Sequence, residues 1–331
     1  MGVHVPLPPP RVRLAVTAGD SASEGSGGGD QGRRSCGRRA RGRRRGGSHR
    51  AALPGAREHR QFLGRDRRLA ITRIALSPDR NQRGHFHSTT ACLSALCAAE
   101  RYDDLLALLE TEAFWPHKRW AVRALAAQGR RAEAIRLAEA SRSPWASDWD
   151  IDRICEEILL SSGLEDDAYA RYGLTANRGG THLATFRAVA KKYPKKSARE
   201  ILADLVKTTP GDEGKWFAAA KDAGLFEEAL ALAKRTPCDP RTLTRAARDF
   251  ADDQPAFALG AGLLALYWLA QGYGYEMTGA DVWAAYSTTV NVAERHGQIA
   301  EARAEIRRLA ASTPVGDNLV ARILGRELGS P

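Results

Sequence analysis

The only grouping of metal-type ligands in the chain is His85, His87, Cys92 and Cys97, spaced H-x-H-x4-C-x4-C. Zinc sites usually draw paired ligands from a tight turn, about two to four residues apart. A helix through residues 89–99 would set Cys92 and Cys97 about 140° apart around its axis, facing different ways. The plainer reading is two small core residues and two solvated histidines, so no metal is expected. Asp148, Asp150 and Asp152 begin like a calcium loop, but Arg153 and Leu159 stand where such a loop needs glycine and glutamate. These acids read instead as capping and opening a helix carrying Ile154 and Ile158. Glycine-rich 25–29 precedes no helix and lacks the Lys-Ser/Thr ending of a phosphate loop.

Three polar groupings remain. Asn177-Arg178-Gly179-Gly180-Thr181-His182 interrupts a helical stretch and offers Arg178 and His182 to an anion at the start of the next helix. An ordinary connecting loop with Thr181 as N-cap is the simpler and preferred reading. Lys191, Lys192, Lys195 and Lys196 flank Tyr193-Pro194 and, with Trp216 downstream, form a candidate interaction surface; a solvated lysine run is the simpler alternative. Arg38, Arg39, Arg41, Arg43, Arg44 and Arg45 are candidate phosphate contacts, giving salt-sensitive binding without sequence preference. No aromatic residue lies among them, so base stacking is not offered. Outside the first 90 residues only His117, His182 and His296 are available for acid–base chemistry, and no catalytic arrangement or cofactor site stands out.

The elements that must hold these residues emerge from composition. The chain has 331 residues, 43% hydrophobic and 27% charged, with a net charge of +11. Residues 1–90 contain nineteen arginines, no lysine and six acids, a net of +13; the other 241 residues carry 31 basic and 33 acidic side chains, a net of −2. A near-neutral protein therefore follows a basic tail. Residues 1–87 are taken as a disordered tail: 1–67 are rich in Pro, Gly, Ser and Arg and lack apolar periodicity, while 68–87 read either way, with a short apolar run (Leu69, Ala70, Ile71, Ile74, Ala75 and Leu76) before Ser77-Pro78-Asp79. Their arginine-only basicity and GC-codon residue types equally suit an upstream extension of the reading frame. Five scattered cysteines contain no C-x-x-C pair. No apolar run approaches the roughly 20 residues that cross a bilayer, and no secretory signal is visible. A cytoplasmic protein without a membrane segment is the expectation. The seven tryptophans should mostly pack in the core, with Trp145 and Trp149 partly exposed beside Pro144.

From Ser88, a plausible first N-cap, the sequence turns rich in Ala and Leu at helical spacing. Gly129, Gly163, Gly224 and Gly297 each begin the pattern G-x-x-x-[DE]-A, completed by Ala134, Ala168, Ala229 and Ala302. Weaker copies begin at Glu100, Tyr193 and Asp253, giving seven turns spaced 29 to 44 residues apart, close to a helix–turn–helix repeat. Glycine ends each first helix in a left-handed conformation, the acid opens the second helix at its positive end, and alanine permits a close crossing.

Those Gly and Ala positions, with Tyr102 after the first turn, resemble the tetratricopeptide-like family of helical repeats. The stretch 172–232 also resembles bacterial helical-repeat proteins of unassigned function. The first-helix Trp, Leu-Gly and Tyr positions of the family are mostly absent. The resemblance implies an all-α solenoid of about seven helix–turn–helix repeats over residues 88–328. It also implies a non-enzymatic scaffold binding a peptide or protein on the solenoid face. The alternative is a nucleic-acid-associated protein using the tail and the lysines.

Overall fold

The computed structural model describes residues 67, 69–77, 79, 88–144, 146–312 and 318–329. All belong to one unit, residues 56–331. The expected disordered tail, with arginines 38–45, lies almost entirely outside the described residues, as do His85, His87 and Trp145. Among the described residues every regular element is helical.

Seven hairpins follow in chain order. They pair α1 (Thr89–Ala98) with α2 (Tyr102–Leu109), and α3 (Trp115–Ala127) with α4 (Arg131–Glu139). Next, α5 (Asp148–Leu160) pairs with α6 (Glu165–Ala168), which runs through a π-helical turn (Tyr169–Gly173) into α7 (Leu174–Ala176). Then α8 (His182–Lys192) pairs with α9 (Ala198–Lys207). A 3-10 turn (Glu213–Trp216) leads into α10 (Phe217–Asp222), which pairs with α11 (Phe226–Arg235). The last hairpins are α12 (Pro240–Asp249) with α13 (Pro255–Ala270), and α14 (Gly279–Arg295) with α15 (Ile299–Ala311); α16 (Leu319–Leu324) packs on the final pair.

All seven turn positions read from the sequence fall between the two helices of a hairpin. Gly129, Gly163, Gly224 and Gly297 have φ between 69° and 79°. In each of these turns the next residue donates its N–H five residues back, as Arg130 does to the Leu125 carbonyl at 2.9 Å. The paired alanines meet their expected role: Ala134, Ala168 and Ala229 are fully buried and Ala302 nearly so.

Glu100 makes the same turn without being glycine, at φ 57°. An L-residue pays a steric cost in this region. Glu100→Gly should therefore stabilise the fold by about 0.5–1 kcal/mol, part of the relief being offset by the freer unfolded chain. Gly129→Ala should cost about 1 kcal/mol. Urea unfolding of both variants checks the pair, and a destabilised Glu100→Gly would refute the argument.

Hairpins contact their neighbours in sequence: α1 packs on α3, α8 on α10, α12 on α14, α11 on α13, and α13 on α15. Polar side-chain contacts between hairpins echo that spacing. Many of them join residues 30 to 45 apart, as Lys195 does with Glu165 and His296 with the Ala251 carbonyl. Between the fifth and sixth hairpins, Phe217, Phe226, Phe250 and Phe257 form a ring cluster with centroids 4.8–5.9 Å apart. Such ring pairs contribute about 0.5–1.5 kcal/mol each beyond area burial.

Two expectations are corrected. Ser88 occupies the N-cap position of α1 but its side chain makes no capping bond. Its ψ of 9° is not the extended backbone that aims a hydroxyl at the first-turn N–H groups. The folded region also begins upstream of Ser88. Residues 69–75 are helical, and Leu76 packs with Leu93, Leu96, Leu105 and Leu109. That short apolar run thus has a core of its own to join.

Candidate interaction surface

Thr181 caps α8 as expected, its Oγ1 accepting from the Ala184 N–H at 3.1 Å. This fixes His182 as the first residue of the helix. Trp216 ends the 3-10 turn of the next hairpin, is 3% exposed, and donates its indole N–H to Thr209 Oγ1 at 2.7 Å. Its ring meets His182 edge-on, with centroids 4.5 Å apart. Arg178 and His182 of the loop, and Trp216, which the sequence grouped with the lysines, therefore line one cleft of about 240 Å³ together with Thr175, Thr208 and Thr209. The cleft is hydroxyl-rich, with one aromatic wall and one cationic rim.

Burial pushes the His182 imidazole below its ordinary 6.5; Lys215 and Arg178 add to this, and Asp212 opposes it. The imidazole is therefore neutral at pH 7. Because the unfolded chain takes the proton first, stability falls as pH drops below 6.5 toward the lowered value. An NMR titration should place the His182 midpoint below 6.5, and Lys215→Gln should move it upward. A midpoint at or above 6.5 in the unaltered protein would contradict the burial argument.

The lysines do not join this cleft. Lys192 Nζ donates to Glu156 Oε2 at 2.5 Å, and Glu156 is fully buried. The other Glu156 oxygen accepts from Tyr193 Oη at 2.5 Å and Asn177 Nδ2 at 2.6 Å. Lys195 pairs with Glu165, while Lys196 lies 3.8 Å from Asp166 and over the Tyr169 ring. Lys191 is exposed. Three of the four lysines thus face carboxylates contributed by the preceding hairpin. Asn177, bonded to Glu156, precedes Arg178 and anchors the cleft loop from beneath.

The π-helical turn adds a second set of interhelical bonds. Tyr169 Oη donates to Asp204 at 3.0 Å and Tyr172 Oη to Glu139 at 2.5 Å. Burial first, and these carboxylates second, raise both phenols above their ordinary range. Both stay protonated donors at neutral pH.

Tryptophan exposure divides the expectation. Trp149 is 44% exposed, as its position beside Pro144 suggested; Trp283, expected to pack in the core, is also 44% exposed. Trp283 sits on the outward side of α14, whose buried side presents Val282, Ala285 and Tyr286. With Phe114 at the N-cap of α3, three of the four exposed aromatic rings among the described residues stand on or at the start of a hairpin's first helix. The fourth, Tyr275, is in the loop before α14.

First helices also bound a groove of about 380 Å³ that motif reading missed, where Arg241, Thr244, Arg245 and Arg248 of α12 face Asp281 of α14. Arg241 binds Asp281 through two N–H groups, at 2.7 and 3.0 Å. That guanidinium, aided by capping bonds from Thr278, holds the Asp281 carboxyl well below the usual carboxylate range. Arg245 bonds the Arg241 carbonyl and Thr242 Oγ1. The i, i+4, i+7 spacing of the arginines was the available signal.

Burial pushes the Cys155 thiol up to about 11 and Cys238 to about 12. Neither is a thiolate nucleophile near neutral pH. Among the described residues no three His, Cys, Asp or Glu side chains converge to hold a metal ion. No helix among them is long and apolar enough to cross a membrane. No protein-family model, curated protein or solved structure matches the chain.

Proposed function

We propose that the chain is a non-enzymatic scaffold whose hairpins stack as a tetratricopeptide-like solenoid and bind a partner protein on the face formed by their first helices. The observation that carries this reading is the placement of the exposed rings: Trp149 and Trp283 lie on first helices and Phe114 at the start of one, and the arginines of the α12–α14 groove also lie on a first helix. Aromatic residues and arginine dominate binding energy at protein interfaces. Packing between hairpins that follow one another in sequence supports an extended surface of the kind repeat proteins use. A cytoplasmic location fits the scattered free cysteines.

The test places a photoreactive benzoylphenylalanine at position 149 or 283 of the full chain and irradiates native lysate. The same residue at Asp167 or Glu301, exposed on second helices, provides the comparison. Discrete protein adducts from 149 or 283 that survive nuclease, and none from 167 or 301, are expected. Adducts abolished by nuclease would favour the alternative, nucleic-acid association through arginines 38–45, and overturn the scaffold. Adducts independent of position would overturn it as well.

A further inference from the structure

The second and third hairpins carry a continuous guanidinium–indole ladder. Arg123 lies over the Trp120 ring with its guanidinium carbon 4.9 Å from the centroid, and Arg119 approaches the same ring at 6.0 Å. Arg119 Nη1 is 3.7 Å from Asp150 Oδ2 across the junction of α3 and α5. Arg153 Nη2 donates to Asp150 Oδ1 at 3.4 Å, and its guanidinium lies 5.0 Å over the exposed Trp149 ring. The order in space is therefore Arg123, Trp120, Arg119, Asp150, Arg153, Trp149.

Charge within this ladder is unbalanced. Among the described residues Asp150 is the one carboxylate within ion-pair distance of Arg119 and Arg153, and the Trp115 indole N–H, at 2.8 Å, already occupies one of its oxygens. Arg123 has no carboxylate partner among the described residues, so three guanidiniums face one acid. Hydrogen bonding is unbalanced too. Four buried side-chain polar atoms among the described residues lack a partner, and three are N–H donors here: Arg119 Nε, Trp120 Nε1 and Arg153 Nε. Such donors are rarely left unmet without a reason. Arg119 and Arg153 remain 30% and 38% exposed, so their terminal N–H groups are reachable from solvent.

The geometry points to this ladder as a docking site for an acidic segment of a partner protein, with Asp or Glu carboxylates seated on Arg119, Arg123 and Arg153 beside Trp149. This rests on the scaffold reading and names the chemistry of its partner. Stacking on indoles holds each guanidinium plane in place, leaving its N–H edge for paired bonds to a carboxylate. A peptide suits the site better than a nucleic acid. Trp120 packs against the Leu93–Leu105 core and carries guanidiniums, and Trp149 carries Arg153, so the rings are engaged before any base arrives. The folded region near net zero elsewhere makes this local excess of positive charge selective rather than general.

The experiment uses the full chain and a fluorescent, diazirine-bearing twelve-residue peptide rich in glutamate. Fluorescence polarisation gives affinity, and mass spectrometry maps the cross-links. Arg119→Gln, Arg153→Gln and Trp149→Ala should each weaken binding about fivefold, the effect of a partly exposed charge pair or an aromatic contact. Arg307→Gln removes equal charge from the exposed side of the second helix α15 and should change affinity less than about twofold. Cross-links should fall within residues 114–153. Equal losses in Arg307→Gln, or cross-links confined to residues 1–66, would overturn the ladder as the docking site. Stronger competition by a twelve-nucleotide oligo-dT than by unlabelled peptide would overturn it in favour of nucleic acid. Photo-adducts that persist from position 149 or 283 in lysate while the ladder variants bind peptide normally would sink this inference alone; absence of first-helix adducts would sink the scaffold itself.

Discussion

Lys192→Met should lower stability by about 3 kcal/mol, a fall of roughly 6–12 °C in Tm for a domain of this size. The reason is the asymmetry of a buried ion pair. Glu156 is fully buried and depends on Lys192, which is 31% exposed and loses little hydration on pairing. Removing the ammonium leaves a buried carboxylate with only the neutral donors Tyr193 and Asn177. The cleft should respond as well, because Asn177 ties the loop bearing Arg178 to Glu156. Differential scanning calorimetry measures the first effect, and the His182 chemical shift reports the second. Lys191→Met, one residue away and exposed, should change Tm by no more than about 1–2 °C. Equal effects at 191 and 192 would show that the ion pair contributes nothing particular.

Gly214→Ala should be at least as damaging, costing about 3 kcal/mol or more. A Cβ there would lie 2.3 Å from the Thr236 carbonyl oxygen and 2.6 Å from that of Pro237. Both obstacles are main chain, so no side-chain rotation relieves them. The Gly214 N–H also donates to Thr236 Oγ1 at 2.7 Å, which draws the 3-10 turn onto the end of α11. The methyl group must separate these segments and with them the wall bearing Trp216. Gly180→Ala in the cleft loop is the comparison. Its Cβ would meet no atom within 4 Å, so the change should lie within about 0.5 kcal/mol of zero. Urea midpoints for the two variants decide the matter, and a Gly214→Ala protein of unaltered midpoint would rule out the clash.

The contrast between these glycines shows where local reading stops. Gly129, Gly163, Gly224 and Gly297 were legible because their role is written within a few residues: a helix behind, an acid and a buried alanine ahead. Gly214 sits in K-T-T-P-G-D-E-G-K-W, which looks like any polar loop, and its constraint comes from residues 22 and 23 positions later. Thr181 as N-cap and the opening acids of α5 were legible for the same local reason, although Ser147 rather than an acid caps α5. The convergence of Arg178, His182 and Trp216 was not, since Trp216 reaches the cleft only through the packing of the next hairpin.

The sequence by itself determined an all-helical chain, its seven hairpin turns and the alanines that let helices cross, because turn geometry, capping and helical periodicity act over a few residues. The tertiary structure alone decided which charges stand free. Lys192, Lys195 and Lys196 read as a basic patch until the preceding hairpin delivers Glu156, Glu165 and Asp166. Arg119, Arg123 and Arg153, scattered in sequence, become a ladder because Asp150 of α5 reaches Trp115 and Arg119 of α3 as well as Arg153. Coulomb and hydrogen-bond energies depend on separations of a few ångströms, and between hairpins those separations are set by packing rather than by spacing along the chain.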